Sequence, residues 1–113
     1  MDKVTQYSKI IQQLLEEIAA MAPSEEGVEN QIIMDDKRGH FLLYSVGWEK
    51  KRWIYGSYVH IDLKPDGKVW LQHDGTSLRV AEELHSRGIP KQDMVIGFQD
   101  AQTRAHMGEY AVA

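Results

Sequence analysis

Apolar residues recur at three- and four-residue steps near the start of the chain: Val4, Tyr7, Ile10, Ile11, Leu14, Leu15, Ile18 and Met21. That spacing places them on one face of an amphipathic helix over 3–22. Asp2 stands where a carboxylate can cap the first turn and meet the positive end of the helix dipole. Ala22-Pro23-Ser24 ends the helix, because Pro23 disfavours the α conformation at the residue before it. The stripe is too short for a coiled coil and is expected to pack on a sheet.

From residue 30 onward the period shortens to that of strands. Gln31–Met34 reads as a short strand closed by the turn residues Asp35-Asp36-Lys37-Arg38-Gly39. His40–Trp48, Trp53–Leu63 and Lys68–His73 read as three more. The second and third carry apolar residues in both registers, so they are expected to be central and covered on both faces for part of their length. Short connections demand antiparallel pairing. The clearest is Lys64-Pro65-Asp66-Gly67-Lys68, in which Pro65 presets the first corner and Gly67 takes a left-handed conformation. Asp74-Gly75-Thr76-Ser77 breaks the fourth strand, and Thr76 or Ser77 can cap a second helix of about ten residues carrying Leu78, Ala81, Leu84 and His85. Gly88, Ile89 and Pro90 form its stop signal. Met94–Phe98 is a further strand and Glu109–Ala113 a candidate last one. The fold class is therefore α+β in a single domain over 1–113: an N-terminal helix, an antiparallel β-meander, a second helix, then one or two strands.

Composition narrows the chemistry. The 113 residues contain no cysteine, which removes thiolate nucleophiles, disulfides and Cys-ligated metals together. The opening MDKVTQYSKIIQQLLEE is too polar for a signal peptide, and no apolar run reaches the ~20 residues of a membrane-spanning helix. A cytoplasmic protein away from membranes is expected. The net charge of −4 argues against a general nucleic-acid binder. The one dense basic run, Lys50-Lys51-Arg52, is expected to be a solvated turn, with direct DNA contact as the less supported alternative.

Two histidines and two carboxylates, His60, Asp62, His73 and Asp74, sit on neighbouring strands and suggest a metal site or an acid/base pair. The hairpin register tests this. With Lys64 opposite Lys68, His60 falls opposite Gln72 and His73 opposite Val59, so the two histidines project from opposite faces unless a bulge intervenes. No bound metal or other cofactor is expected. His40, His85 and His106 are scattered and receive no role. The chain holds no G-x-S-x-G, G-x-x-x-x-G-K or G-x-G-x-x-G motif. Trp48 is expected in the core, as large aromatics dominate burial. Trp70 shares a face with His60, Asp62 and Gln72 and fits a core position or an interface equally well.

The runs V-G-W at Val46–Trp48, R-W-I-Y-G at Arg52–Gly56, V-H-I-D-L at Val59–Leu63, D-G-K-V-W-L-Q-H-D-G-T at Asp66–Thr76 and E-Y-A-V-A at Glu109–Ala113 together resemble the XisI family. These are the fdxN-element excision controlling factors of cyanobacteria. The likeness extends to the opening helix around Tyr7 and to Gly88–Asp93. It departs at Gln99, Asp100 and Ala101, where the family often has histidine, a small residue and proline, and at Gly108, where threonine is common. The resemblance implies a non-enzymatic accessory factor in programmed DNA excision during heterocyst development. It implies action beside a recombinase and through a nuclease-like XisH companion, with self-association as a second mode. The interaction surface expected for such a role comprises His60, Asp62, Trp70, Gln72, His73, Asp74 and Thr76. The alternative is a small metal-dependent hydrolase or nuclease subunit using His60, Asp62, His73 and Asp74.

Overall fold

The computed structural model describes residues 2–22 and 26–113. Helix α1 spans Lys3–Met21, and the Asp2 carboxylate accepts a hydrogen bond from the Thr5 amide at 2.8 Å, as its position in the sequence predicts. The predicted stop at Pro23-Ser24 lies outside the described residues; the last turn closes with the Ala22 amide donating to the Ile18 carbonyl at 3.0 Å.

Five strands follow: β1 (Val28–Asp35), β2 (His40–Glu49), β3 (Arg52–Leu63), β4 (Val69–Asp74) and β5 (Met94–Ile96). They form one sheet in chain order. The first four pair antiparallel, and β5 lies parallel beside β4. A parallel neighbour cannot be reached by a tight turn, so α2 (Val80–Ser86) and a 3-10 turn at Lys91–Asp93 supply the crossover. The meander and its turns agree with expectation. In the β3–β4 hairpin, Gly67 has φ +89° and the Lys64 amide donates to the Lys68 carbonyl at 2.9 Å. At the end of α2, Gly88 has φ +115°, the Ile89 amide reaches back to the Leu84 carbonyl, and Ile89 is fully buried.

Several expectations need correction. Strand β1 is twice the predicted length, because its polar start, Val28-Glu29-Asn30, pairs with Gly47, Val46 and Ser45 of β2. Helix α2 is shorter than expected, and neither Thr76 nor Ser77 caps it. Arg79, in a left-handed conformation at φ 56°, precedes it, and the cap comes from Asp74 on β4. The Asp74 carboxylate accepts from the Val80 amide at 3.0 Å and from the Thr76 amide and hydroxyl at 2.9 and 2.6 Å. Strand β5 stops at Ile96, leaving Phe98 exposed. Glu109–Ala113 forms no strand, although the Ala111 amide donates to the Met94 carbonyl at 2.9 Å. A short helix, α3 (Ala101–Ala105), was not expected. It has no apolar stripe to betray it, only the cap Asp100, whose carboxylate accepts from the Thr103 amide.

One face of the sheet carries Phe41 and Leu43 from β2, Val59, Ile61 and Leu63 from β3, and Val69 and Leu71 from β4. Against them pack Tyr7, Ile11, Leu14, Leu15 and Ile18 of α1, with Val80 and Leu84 of α2. Polar contacts fasten α1 at several points. The Tyr7 hydroxyl donates to Asp93 at 2.5 Å, Ser8 donates to Asp36, and Arg87 forms two hydrogen bonds with Glu17. Burial, together with the bond and the charge at Asp93, pushes the Tyr7 hydroxyl up to about 12, so it remains a donor.

Two substitutions test this packing. Leu15→Ala removes a fully buried side chain and should cost about 2–5 kcal/mol in urea or thermal unfolding. A loss under about 1 kcal/mol would mean that α1 does not seat there as described. Asp74→Ala strands the Val80 amide and should cost about 1–3 kcal/mol, with faster hydrogen exchange at Val80 than at core amides of β3.

Candidate functional site

The sheet face opposite the helices belongs to alternate residues of each strand. From β2 it takes His40, Leu42, Tyr44, Val46 and Trp48; from β3, Trp53, Tyr55, Ser57, His60 and Asp62. The expectation that β2 and β3 are central and covered on both faces for part of their length is met in β3 at Ile61, Asp62 and Leu63, which are buried in succession, but not in β2 or toward the β2–β3 tip, where α1 and α2 cover one side only. Trp48, expected in the core, is 55% exposed, Trp53 is 51% exposed and Tyr55 is 68% exposed. Trp48 and Trp53 pair across the hairpin with ring centroids 5.3 Å apart, and Tyr44 and Tyr55 do so at 5.6 Å. Lys50, Lys51 and Arg52 form or border the exposed hairpin tip, as predicted for a solvated turn.

At the other end of this face stands Asp62, whose side chain is only 11% exposed. Three donors converge on it. His40 Nδ1 lies 2.8 Å and His60 Nε2 2.9 Å from the same oxygen, Oδ1, while Gln72 Nε2 donates to Oδ2 at 3.1 Å. Burial alone would raise the carboxyl. The hydrogen bonds from His40, Gln72 and His60, with the charge of His60, outweigh it and hold Asp62 below the usual carboxylate range. An ionised acceptor thus sits between two imidazoles that both remain partly exposed.

Two β-bulges create this arrangement. Between Leu43 and Tyr44 the β2–β3 register slips by one residue, which sets His40 opposite Asp62. Without that slip His40 would face Ile61, a core residue. Sequence reasoning therefore missed His40, and nothing in the local pattern announces the bulge. The second slip, between His60 and Ile61, pairs His60 with His73 and Val59 with Asp74. This corrects the expectation that His60 opposes Gln72 and that His73 lies on the far face. Gln72 becomes the extra residue of β4 and turns to Asp62.

The seven residues of the predicted surface consequently divide. His60, Asp62, Trp70 and Gln72 share the open face, with His73 at its edge, its ring beside Gly75. Asp74 and Thr76 belong to the helix side, where they cap α2. The four-residue set His60, Asp62, His73 and Asp74 is thus not one constellation. Among the described residues, the group of three potential metal-ligating side chains is His40, His60 and Asp62. Trp70, opposite Asp62, is partly covered by Arg104, whose guanidinium lies 5.5 Å from the ring centroid. Arg104 also donates to the carbonyls of Gln99 and Val112, which draws α3 and the C-terminal segment onto this corner. No helix among the described residues is long and apolar enough to cross a membrane.

Known proteins match along nearly the whole chain. A XisI-like protein from Anabaena variabilis, solved by crystallography, is 37% identical and superposes with a TM-score of 0.92 over 97% of this chain and 99% of its own. The crystal structure of the fdxN element excision controlling factor XisI from the same organism is 28% identical, with a TM-score of 0.86 over 99% of this chain and 100% of its own. No curated protein matches. The XisI protein family matches residues 1–112, and the chain belongs to that family.

Proposed function

We propose that this chain is a non-enzymatic accessory factor that controls excision of a DNA element by binding a protein partner through its open sheet face. Its likeness to an fdxN element excision controlling factor supports the control role. The observation that carries the binding mode is the row of half-exposed aromatics, Trp48, Trp53 and Tyr55, on the sheet face opposite α1 and α2. Exposed aromatics grouped on one face are the usual anchors of protein interfaces, where tryptophan and tyrosine contribute most when desolvated. Lys50, Lys51 and Arg52 form a cationic rim at one end and favour an acidic margin on the partner. The partner we assign is an XisH-like protein of the same cytoplasm, in the setting of programmed recombination during heterocyst development. Self-association through the same face is the competing use.

Co-expression with an XisH-type protein from the same genome, followed by size-exclusion chromatography with light scattering, tests this reading. A mixed complex is expected, and Trp53→Glu should abolish it while circular dichroism stays unchanged, because the Trp53 side chain is half in solvent. A complex that survives both Trp53→Glu and Trp70→Glu would remove this face from the interface. Homodimers alone, dissociated by the same substitutions, would assign the face to self-association.

A further inference from the structure

We propose that His40, His60 and Asp62 form a binding site for a divalent transition-metal ion, zinc being the best fit to the donor set. The site is independent of the partner reading above and uses the opposite end of the sheet face from Trp48 and Trp53. One imidazole comes from β2, and the other imidazole and the carboxylate come from β3, so all three ligands stand on strands held rigidly in register. Their donor atoms lie within 4.8 Å of one another. A tetrahedral zinc ion with bonds near 2.0–2.1 Å spaces its ligands by roughly 3.4 Å. Oδ1 of Asp62 is 2.8 Å from His40 Nδ1 and 2.9 Å from His60 Nε2, so these two separations must each open by about half an ångström to admit the ion.

Chemistry favours zinc over magnesium or calcium, which prefer all-oxygen shells, while two imidazoles with one carboxylate are ordinary zinc donors. Gln72 supplies the outer contact: by holding Oδ2 at 3.1 Å it fixes the rotation of the carboxylate and leaves Oδ1 for the ion. Because both imidazoles are partly exposed, the fourth position opens toward solvent and can carry water or a donor from another molecule. To coordinate, each imidazole must present its binding nitrogen unprotonated, so uptake of the ion displaces the protons that bridge His40 Nδ1 and His60 Nε2 to Asp62. The register slip between Leu43 and Tyr44 is what the site requires, since it alone places His40 in the row of Asp62.

The test uses the full chain, stripped with a chelator and titrated with zinc chloride in a calorimeter. One equivalent should bind with Kd below about 10 µM. His40→Ala and Asp62→Asn should each weaken binding about 10- to 100-fold or more, and Gln72→Ala should weaken it about 10-fold, while His85→Ala and His106→Ala leave it unchanged. Nitrogen-15 NMR of the unaltered protein provides a readout that does not depend on variants folding. Zinc should shift Nδ1 of His40 and Nε2 of His60 together at one equivalent. Absence of binding at 100 µM, a scale set by the expected affinity, would overturn the proposal. So would shifts confined to His73, His85 or His106, or affinity that survives both His40→Ala and Asp62→Asn.

Discussion

Burial of the α1 stripe against one side of the meander is the interaction on which the rest of the structure depends. Ile11, Leu14, Leu15 and Ile18 lie against Phe41, Leu43, Val59 and Ile61, and all eight are buried. Each large aliphatic side chain withdrawn from water contributes about 1.5–3 kcal/mol, so this seam supplies much of what opposes the entropy of ordering the chain. The helices have only enough apolar surface for one side of the sheet. Helix α2, seven residues long, joins α1 on that side, and α3 reaches only the corner at Trp70. The other face must therefore be satisfied by its own side chains or by another molecule.

Its two ends meet that demand differently. Near β4, the buried carboxylate of Asp62 is compensated by three convergent donors, which keeps an ionised group tolerable away from water. Near the β2–β3 tip, the aromatics cover one another in tilted pairs and still leave half or more of Trp48, Trp53 and Tyr55 in solvent. The face thus carries a compensated polar group at one end and exposed apolar area at the other. Those are the two features a recognition surface combines, with polar groups setting register and aromatics supplying most of the affinity.

The bulges decide which residues belong to which end. A strand slipped by one position exchanges its two faces, so a single extra residue is enough to move a side chain from core to surface. Tyr58 is the extra residue of β3. It packs beside the core instead of joining Tyr55 on the open face. Gln72 is the extra residue of β4 and becomes a ligand of the Asp62 carboxylate. Both bulges interrupt the pairing of β3 between Ser57 and Ile61, the first setting His40 opposite Asp62 and the second setting His73 opposite His60.

Periodicity and turn chemistry carried the sequence reading as far as local forces reach. The α1 stripe, its Asp2 cap, the Pro65-Asp66-Gly67 hairpin, the Gly88 stop and the order of the meander follow from residues within a few positions of one another. The row of motifs shared with XisI proteins added the family, and the pairing of Asp62 with Trp70 followed from one hairpin count, whereas Gln72 meets Asp62 through a bulge that the count did not contain. His40 did not, because its partnership with Asp62 spans 22 residues and passes through a bulge without a sequence signature. Trp48 was misplaced for a related reason: an apolar residue on a strand reports burial only when something covers its face, and among the described residues no helix lies over Trp48, which is 55% exposed. Asp74 could be recognised as polar at a strand end, but its service as the cap of α2 depends on where the crossover returns. In each case the missing information was a long-range register or a layer of packing, which no window of neighbouring residues contains.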